Sequence, residues 1–184
     1  MNTSFFLPYL AAIVLVTIVM GGIYISVQQN YRSGANDPQV AVAREMAMNI
    51  HDGKLVDRWL SDSIQLDRSL LVFATLYDDQ TRPLRSSGFL HGKYPQLPKG
   101  VFDFVRVHGE ERVTWQPEIG VRMAMDVLKS PADGFIAVGR SLKEIEIREE
   151  QLRWSLFICW ILSGAIIVIL APIQFWLRNK SQLK

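Results

Sequence analysis

Cysteine is nearly missing from this chain: Cys159 is the only one in 184 residues. It lies inside an apolar run, so the rest of the protein has no disulfide to draw on and must be held by a hydrophobic core. Cys159 itself reads as a small apolar packing residue rather than a reactive thiol. Charge is missing from two long stretches, Phe5 to Val27 and Trp154 to Leu177, neither of which holds Asp, Glu, Lys or Arg. A helix needs roughly 20 apolar residues to cross ~30 Å of hydrocarbon, and each stretch is long enough. Acidic residues are missing outside the segment between them: all 18 fall within Gln28 to Arg153. Catalytic signatures are missing too. There is no Gly-rich phosphate loop, no Cys-x-x-Cys and no His-Glu-x-x-His, and Ser, His and Asp sit in no nucleophile-elbow context. His51, His91 and His108 are too far apart in sequence for a ligand pair, so a metal site would need tertiary convergence. Solvated or hydrogen-bonded histidines are the simpler reading. No enzymatic activity and no cofactor is expected.

What is present begins with an uneven charge. Three of the 20 basic residues, Arg178, Lys180 and Lys184, follow the second apolar stretch, which leaves 17 against the 18 acidic ones in Gln28 to Arg153. That near balance argues against nucleic acid as a partner. Basic residues flanking a span stay in the cytoplasm, so the tail is placed there, and two crossings bring the N-terminus to the same side. A cleaved signal peptide fits the first stretch poorly. It has no basic n-region, its apolar run is 23 residues, and Gly22 to Ser26 is a poor exit site. The expectation is a two-pass inner (plasma) membrane protein in the lipid bilayer. Residues 1–27 would form the cytoplasmic N-terminus and first transmembrane helix, 28–153 an extracytoplasmic domain, 154–177 the second transmembrane helix, and 178–184 a basic cytoplasmic tail. The 126 residues of the middle segment are enough for one compact domain.

Within that segment, Asn30 to Pro38 is rich in breakers and predicts an interruption of the first helix. Asp37-Pro38 reads as a new helix start, with Asp37 as N-cap. Val40, Ala43, Met46, Ala47 and Ile50 then follow helical spacing up to Gly53. A second short helical stretch is predicted over Leu55 to Leu60. Leu70 to Tyr77 reads as a strand, Asp78 to Pro83 as a turn, and Leu84 to Ser87 as the returning strand. Gly88 to Gly100 reads as a loop, and Val101 to Val107 as a short helix. Three more strands are predicted: Arg112 to Gln116, Gly120 to Leu128 and Phe135 to Gly139. In the second, Val121, Met123, Met125 and Val127 share one face, with Arg122 and Asp126 on the other. Phe135 to Gly139 is apolar throughout, as a central strand is. The fold class is therefore α+β: two transmembrane helices flanking an antiparallel-sheet domain, in an order that fits a PAS/Cache-like topology.

From Leu142 no Gly or Pro intervenes until Gly164. Leu142, Ile145, Glu149, Leu152, Leu156 and Cys159 fall at alternating three- and four-residue spacing, a short heptad run with Glu149 as the exception. Such a helix, entering the bilayer from the last strand, would transmit movement without a soft joint; the alternative is a charged spacer. Arg140, at the join, reads as a structural ion-pair partner or a ligand contact. A small-molecule site is expected between the sheet and the helix-loop insertion. It would bring Trp115, Arg122, Met123 and Met125 towards Phe89, His91, Tyr94 and Phe102. Arg122 would pair an anionic ligand bidentately. The plainer alternative is core packing for Trp115 and the methionines, and a surface position or an ion pair with Asp126 for Arg122. Gly21-Gly22 and Ser163-Gly164-Ala165 permit close helix approach, Pro172 suggests a kink, and Trp154, Trp160 and Trp176 read as interfacial anchors.

Several strings carry a resemblance. These are Ala35-Asn36-Asp37-Pro38-Gln39, Arg112-Val113-Thr114-Trp115-Gln116-Pro117, Gly120-Val121-Arg122, and Gly139-Arg140-Ser141-Leu142 followed by Lys143-Glu144-Ile145-Glu146. In this order around two apolar stretches, they resemble the N-terminal extracytoplasmic sensor region of bacterial membrane-bound two-component histidine kinases. The resemblance covers nearly the whole chain. It implies a PAS/Cache-like fold, a homodimer or a heteromer with a histidine kinase or other membrane signalling protein, and signalling through the second membrane helix. It departs where the kinase domains would follow, because seven residues cannot hold a phosphoacceptor helix pair or an ATP-binding domain. The expected function is a sensor or accessory protein that detects an external cue and modulates a separate signalling partner. The alternatives are a non-sensing envelope assembly subunit or the truncated front half of a kinase.

Overall fold

The computed structural model describes the backbone of Thr3–Ser181 and the side chains within it, except those at 3–6, 32, 33, 35–37, 175 and 177–181. The side chains of Asp37, Arg178, Lys180 and Lys184, on which the expected N-cap and orientation rest, lie outside the described residues. The chain divides into two units, one formed by Met1–Tyr31 with Ile147–Lys184 and the other by Arg32–Glu146.

The second unit is built on strands whose alternation the sequence carries. Helix α1 (Thr3–His51) ends in it, followed by a 3-10 turn (Asp57–Trp59) and the strands β1 (Ile64–Gln65), β2 (Phe73–Tyr77), β3 (Pro83–Ser86) and β4 (Gly88–Phe89). Helix α2 (Lys99–His108), β5 (Glu110–Glu118), β6 (Val121–Lys129), β7 (Phe135–Ser141) and the start of α3 (Lys143–Ser181) complete it. Five strands form one sheet in the order β3-β2-β7-β6-β5, with every neighbouring pair antiparallel. Counted in chain order within that sheet, the strands run 2-1-5-4-3, and α2 is inserted between the second and third. β1 and β4 make a separate two-residue parallel pair.

The apolar Phe135–Gly139 run is the central strand, and its side chains alternate between two cores. Phe135 and Ala137 join Phe73, Met123, Met125 and Val127 under Phe102 and Val105 of α2. Ile136 and Val138 join Ala74 under Ala43 and Met46 of α1. Each fully buried Phe, Met or Val side chain contributes about 1.5–3 kcal/mol of apolar transfer, which is how a domain without disulfides holds together.

Three sequence expectations are corrected. The helix is not broken at Asn30–Pro38: the backbone is helical from Thr3 to His51 without a new start at Asp37. Pro38 removes the one donor that would reach the carbonyl of residue 34, and Gly34 is exposed, so water can replace it. Strand β2 begins at Phe73 rather than Leu70, because Leu70 and Leu71 are exposed ahead of it. The stretch from Leu55 to Leu60 holds one 3-10 turn instead of an α-helix. Gly53 does close α1, with φ +69° and its amide donating to Ile50 O at 3.1 Å.

Among the described residues, two helical segments are long and apolar enough to cross a membrane, Leu7–Tyr31 and Lys143–Gln174, and all but the first four residues of the second lie in the first unit. They pair antiparallel within the part that belongs to this unit. Tyr9 donates to Gln174, and Trp160 Nε1 donates to Thr17 Oγ1 at 2.9 Å. Trp160 thus ties helix to helix. Half-buried positions recur at three- and four-residue spacing on α1 at Tyr9, Ile13, Val16, Met20, Tyr24 and Val27. The glycine pair Gly21-Gly22 is exposed and makes no close approach within the chain.

Candidate functional site

The join between the sheet and α3 is made by a single residue, Leu142, between β7 and the first helical residue. Its amide donates to Arg122 O on β6 at 2.9 Å, and its carbonyl accepts from Glu146 N at 3.0 Å, so the same residue belongs to the sheet edge and to the helix. Ser141 Oγ accepts from Lys143 N at 3.3 Å at the helix start. Two ion pairs clasp the first turn to the sheet. Arg122 Nη1 donates to Glu146 Oε1 at 3.1 Å, and Arg140 Nη2 donates to Glu144 Oε2 at 3.0 Å. Glu144 and Glu146 also sit at the positive end of the helix dipole, which favours acids there. Arg122 and Arg140 leave the sheet from adjacent strands, where Ala124 faces Arg140 in register.

Five of the six predicted heptad positions share one half-buried stripe. Leu142, Ile145, Glu149, Leu152 and Leu156 are each half-buried, while most residues between them are exposed. Cys159 departs from the stripe and is exposed; the next half-buried positions are Ser163 and Gly164.

The residues expected to form a small-molecule site are only partly brought together. Trp115, Met123 and Met125 are buried and pack in one core with Phe102 and Val105. The space under α2 is filled by rings, with Phe102 4.9 Å from Tyr77 and 5.0 Å from Phe135. Tyr77 Oη donates to Pro95 O at 2.8 Å, and burial pushes the Tyr77 phenol up from its ordinary value. Arg122 is not with Met123, because successive strand residues point to opposite faces. Nor does Arg122 pair with Asp126: four strand residues span about 13 Å, beyond ion-pair reach, and Glu146 takes that place. His91 and Tyr94 lie in the β4–α2 loop. His91 Nε2 is 2.9 Å from Glu118 Oε2, three residues past Trp115 on β5, and the Tyr94 ring lies tilted against Phe89 with centroids 5.2 Å apart. His91 has φ +50°, an uncommon conformation for a residue with a side chain. His108 stacks on Phe104 at 3.9 Å, so the histidines occupy separate local environments.

Sequence reasoning missed the partners of the two arginines and the surroundings of Asp126. The Arg140–Glu144 pair has i,i+4 spacing and was readable as such; Arg122–Glu146 spans 24 positions and needs the fold. No protein-family model, no curated protein and no solved structure matches the chain.

Proposed function

We propose that this is a membrane-anchored sensor or accessory protein of the two-component type, with a PAS/Cache-like domain on the extracytoplasmic face of a bacterial inner membrane. It passes a change in its sheet to a separate signalling partner, a histidine kinase or another membrane signalling protein, through α3. The observation that carries this reading is the one-residue join at Leu142, clasped by Arg122–Glu146 and Arg140–Glu144. A displacement of β6 or β7 has no slack to absorb it before the helix begins. The 2-1-5-4-3 strand order with a helix inserted after the second strand supports the PAS-like part. The stripe Leu142, Ile145, Glu149, Leu152 and Leu156 supports a transmitting helix rather than a spacer.

The reading is tested by fusing the phosphoacceptor and ATP-binding domains of a histidine kinase after Lys184. One to four alanines are then inserted between Arg148 and Glu149. Kinase output is expected to vary with helical phase and to return towards the starting level near about 3.6 residues, one turn. Equal output from every insertion would reject transmission. A second reading, an envelope assembly subunit that senses nothing, draws on the ring-filled interior and on exposed apolar side chains at Val107 (78%) and Ile119 (98%).

A further inference from the structure

We propose that Asp126 is a proton-responsive residue: sealed between α1 and the sheet, its charge state sets how firmly the 39–47 part of α1 holds to β6 and β7. The sequence places Asp126 between Met125 and Val127, on the strand face opposite to both. In an isolated hairpin that face would be wet. Here Ala43 and Met46 of α1 pack in one cluster with its register partner Val138 and with Leu128, and Asp126 is 0% exposed beside Ala124 at 4%. Neither carboxylate oxygen has a hydrogen-bond partner among the described residues. An ionised carboxylate buried without donors is costly, and such groups neutralise when they can.

The neighbouring charges relieve this only in part. On β5, Arg112 is the cross-strand partner of Asp126, but its Nε lies 3.8 Å from Asp126 Oδ1, too long for a hydrogen bond. Arg112 is committed to Glu110, donating from Nε at 2.9 Å and from Nη2 at 2.7 Å to Oε1. On α1, Arg44 Nη2 approaches Glu110 Oε2 at 3.7 Å. On β7 the facing residue is apolar Val138, and Arg140, two residues further along, bonds Glu144. Glu110 therefore draws off both nearby cations and adds a like charge. Burial first, and Glu110 second, push the Asp126 carboxyl up to about 6, while Arg112 and Arg44 oppose the rise.

A carboxyl whose folded value lies above its unfolded value of 3.8 favours the folded state fully below that value, and the contribution fades as pH rises through about 6. Acidification thus tightens the packing of α1, and ionisation favours an opening that lets water reach the carboxylate. This names a cue for the proposed sensor and rests on that reading only for what the change is used for; the proton equilibrium stands alone.

The test uses the full chain in detergent micelles or nanodiscs. Thermal midpoints are measured from pH 4 to 8 for the wild type and for Asp126→Asn, which mimics the protonated side chain. The wild type is expected to lose stability as pH rises through about 6, while Asp126→Asn stays level across that window and is the more stable at pH 7.5. Parallel profiles would overturn the proposal. Should the variant not fold, amide exchange of residues 39–47 in the wild type decides, after correction for the intrinsic pH dependence of exchange. Protection is expected to be higher at pH 5 than at pH 7.5 by about tenfold, because that interval crosses about one unit of the window between 3.8 and about 6. Equal protection would overturn the proposal. A flat alanine-insertion series beside an Asp126-dependent profile would reject the signalling reading and leave this one standing.

Discussion

Gly139 shows how closely single positions are set in this sheet. In register it faces Phe73 on β2 and Met125 on β6, two of the largest core side chains. An added Cβ would lie 2.6 Å from the Phe73 ring and would overlap the Met125 sulfur. Overpacking of this kind costs about 1–3 kcal/mol, because both neighbours must leave good rotamers. Gly139→Ala is therefore expected to lower the thermal midpoint of the full chain. An unchanged midpoint would show that Met125 moves aside freely. The alternation that puts Val121, Met123, Met125 and Val127 on one face was readable from sequence, since a period of two is local. The need for glycine at 139 was not, because it depends on which residues two other strands bring alongside. Asp126 entered the sequence reading only as an ion-pair partner for Arg122; its burial depends on a helix from the other end of the chain and is not readable from the strand alone.

Among the elements, α3 was the most legible. Its start after the last strand, its freedom from Gly and Pro up to Gly164 and its three-four stripe all lie in contiguous sequence. α1 was less so, because breaker-rich composition over Asn30–Pro38 predicted an end that helical hydrogen bonding on either side overrides. The two-residue strands β1 and β4 are too short to carry any period. Arg122 and Glu146 have side chains 49% and 48% exposed, so their pair is well hydrated and contributes no more than about 1 kcal/mol. Arg122→Ala is expected to leave the thermal midpoint almost unchanged and yet to shift the output of the kinase fusion described above. A variant with normal output would show that the Leu142 backbone bonds alone couple sheet to helix. A large loss of stability would instead assign the pair a structural role.

For the whole molecule, the decisive question is which side of a membrane carries the sheet domain. Two helices of sufficient length and apolarity bracket it, Leu7–Tyr31 and Lys143–Gln174. The basic residues Arg178, Lys180 and Lys184 favour keeping the second flank in the cytoplasm, since long translocated segments count little in that rule. The single native cysteine makes the arrangement directly testable. With Cys159→Ser as background, Ile119→Cys places a thiol at the β5–β6 turn, where the side chain is 98% exposed. A membrane-impermeant maleimide is expected to label it in intact cells. A thiol at Ser181 is expected to label only after the membrane is opened. The reverse pattern would put the sheet domain in the cytoplasm and remove the basis for an external cue. Labelling of both sites in intact cells would mean that the two apolar helices do not form a two-pass hairpin. Only the expected pattern leaves Asp126 in a compartment whose pH follows the surroundings of the cell. That is the condition under which a carboxyl titrating near 6 reports on the outside.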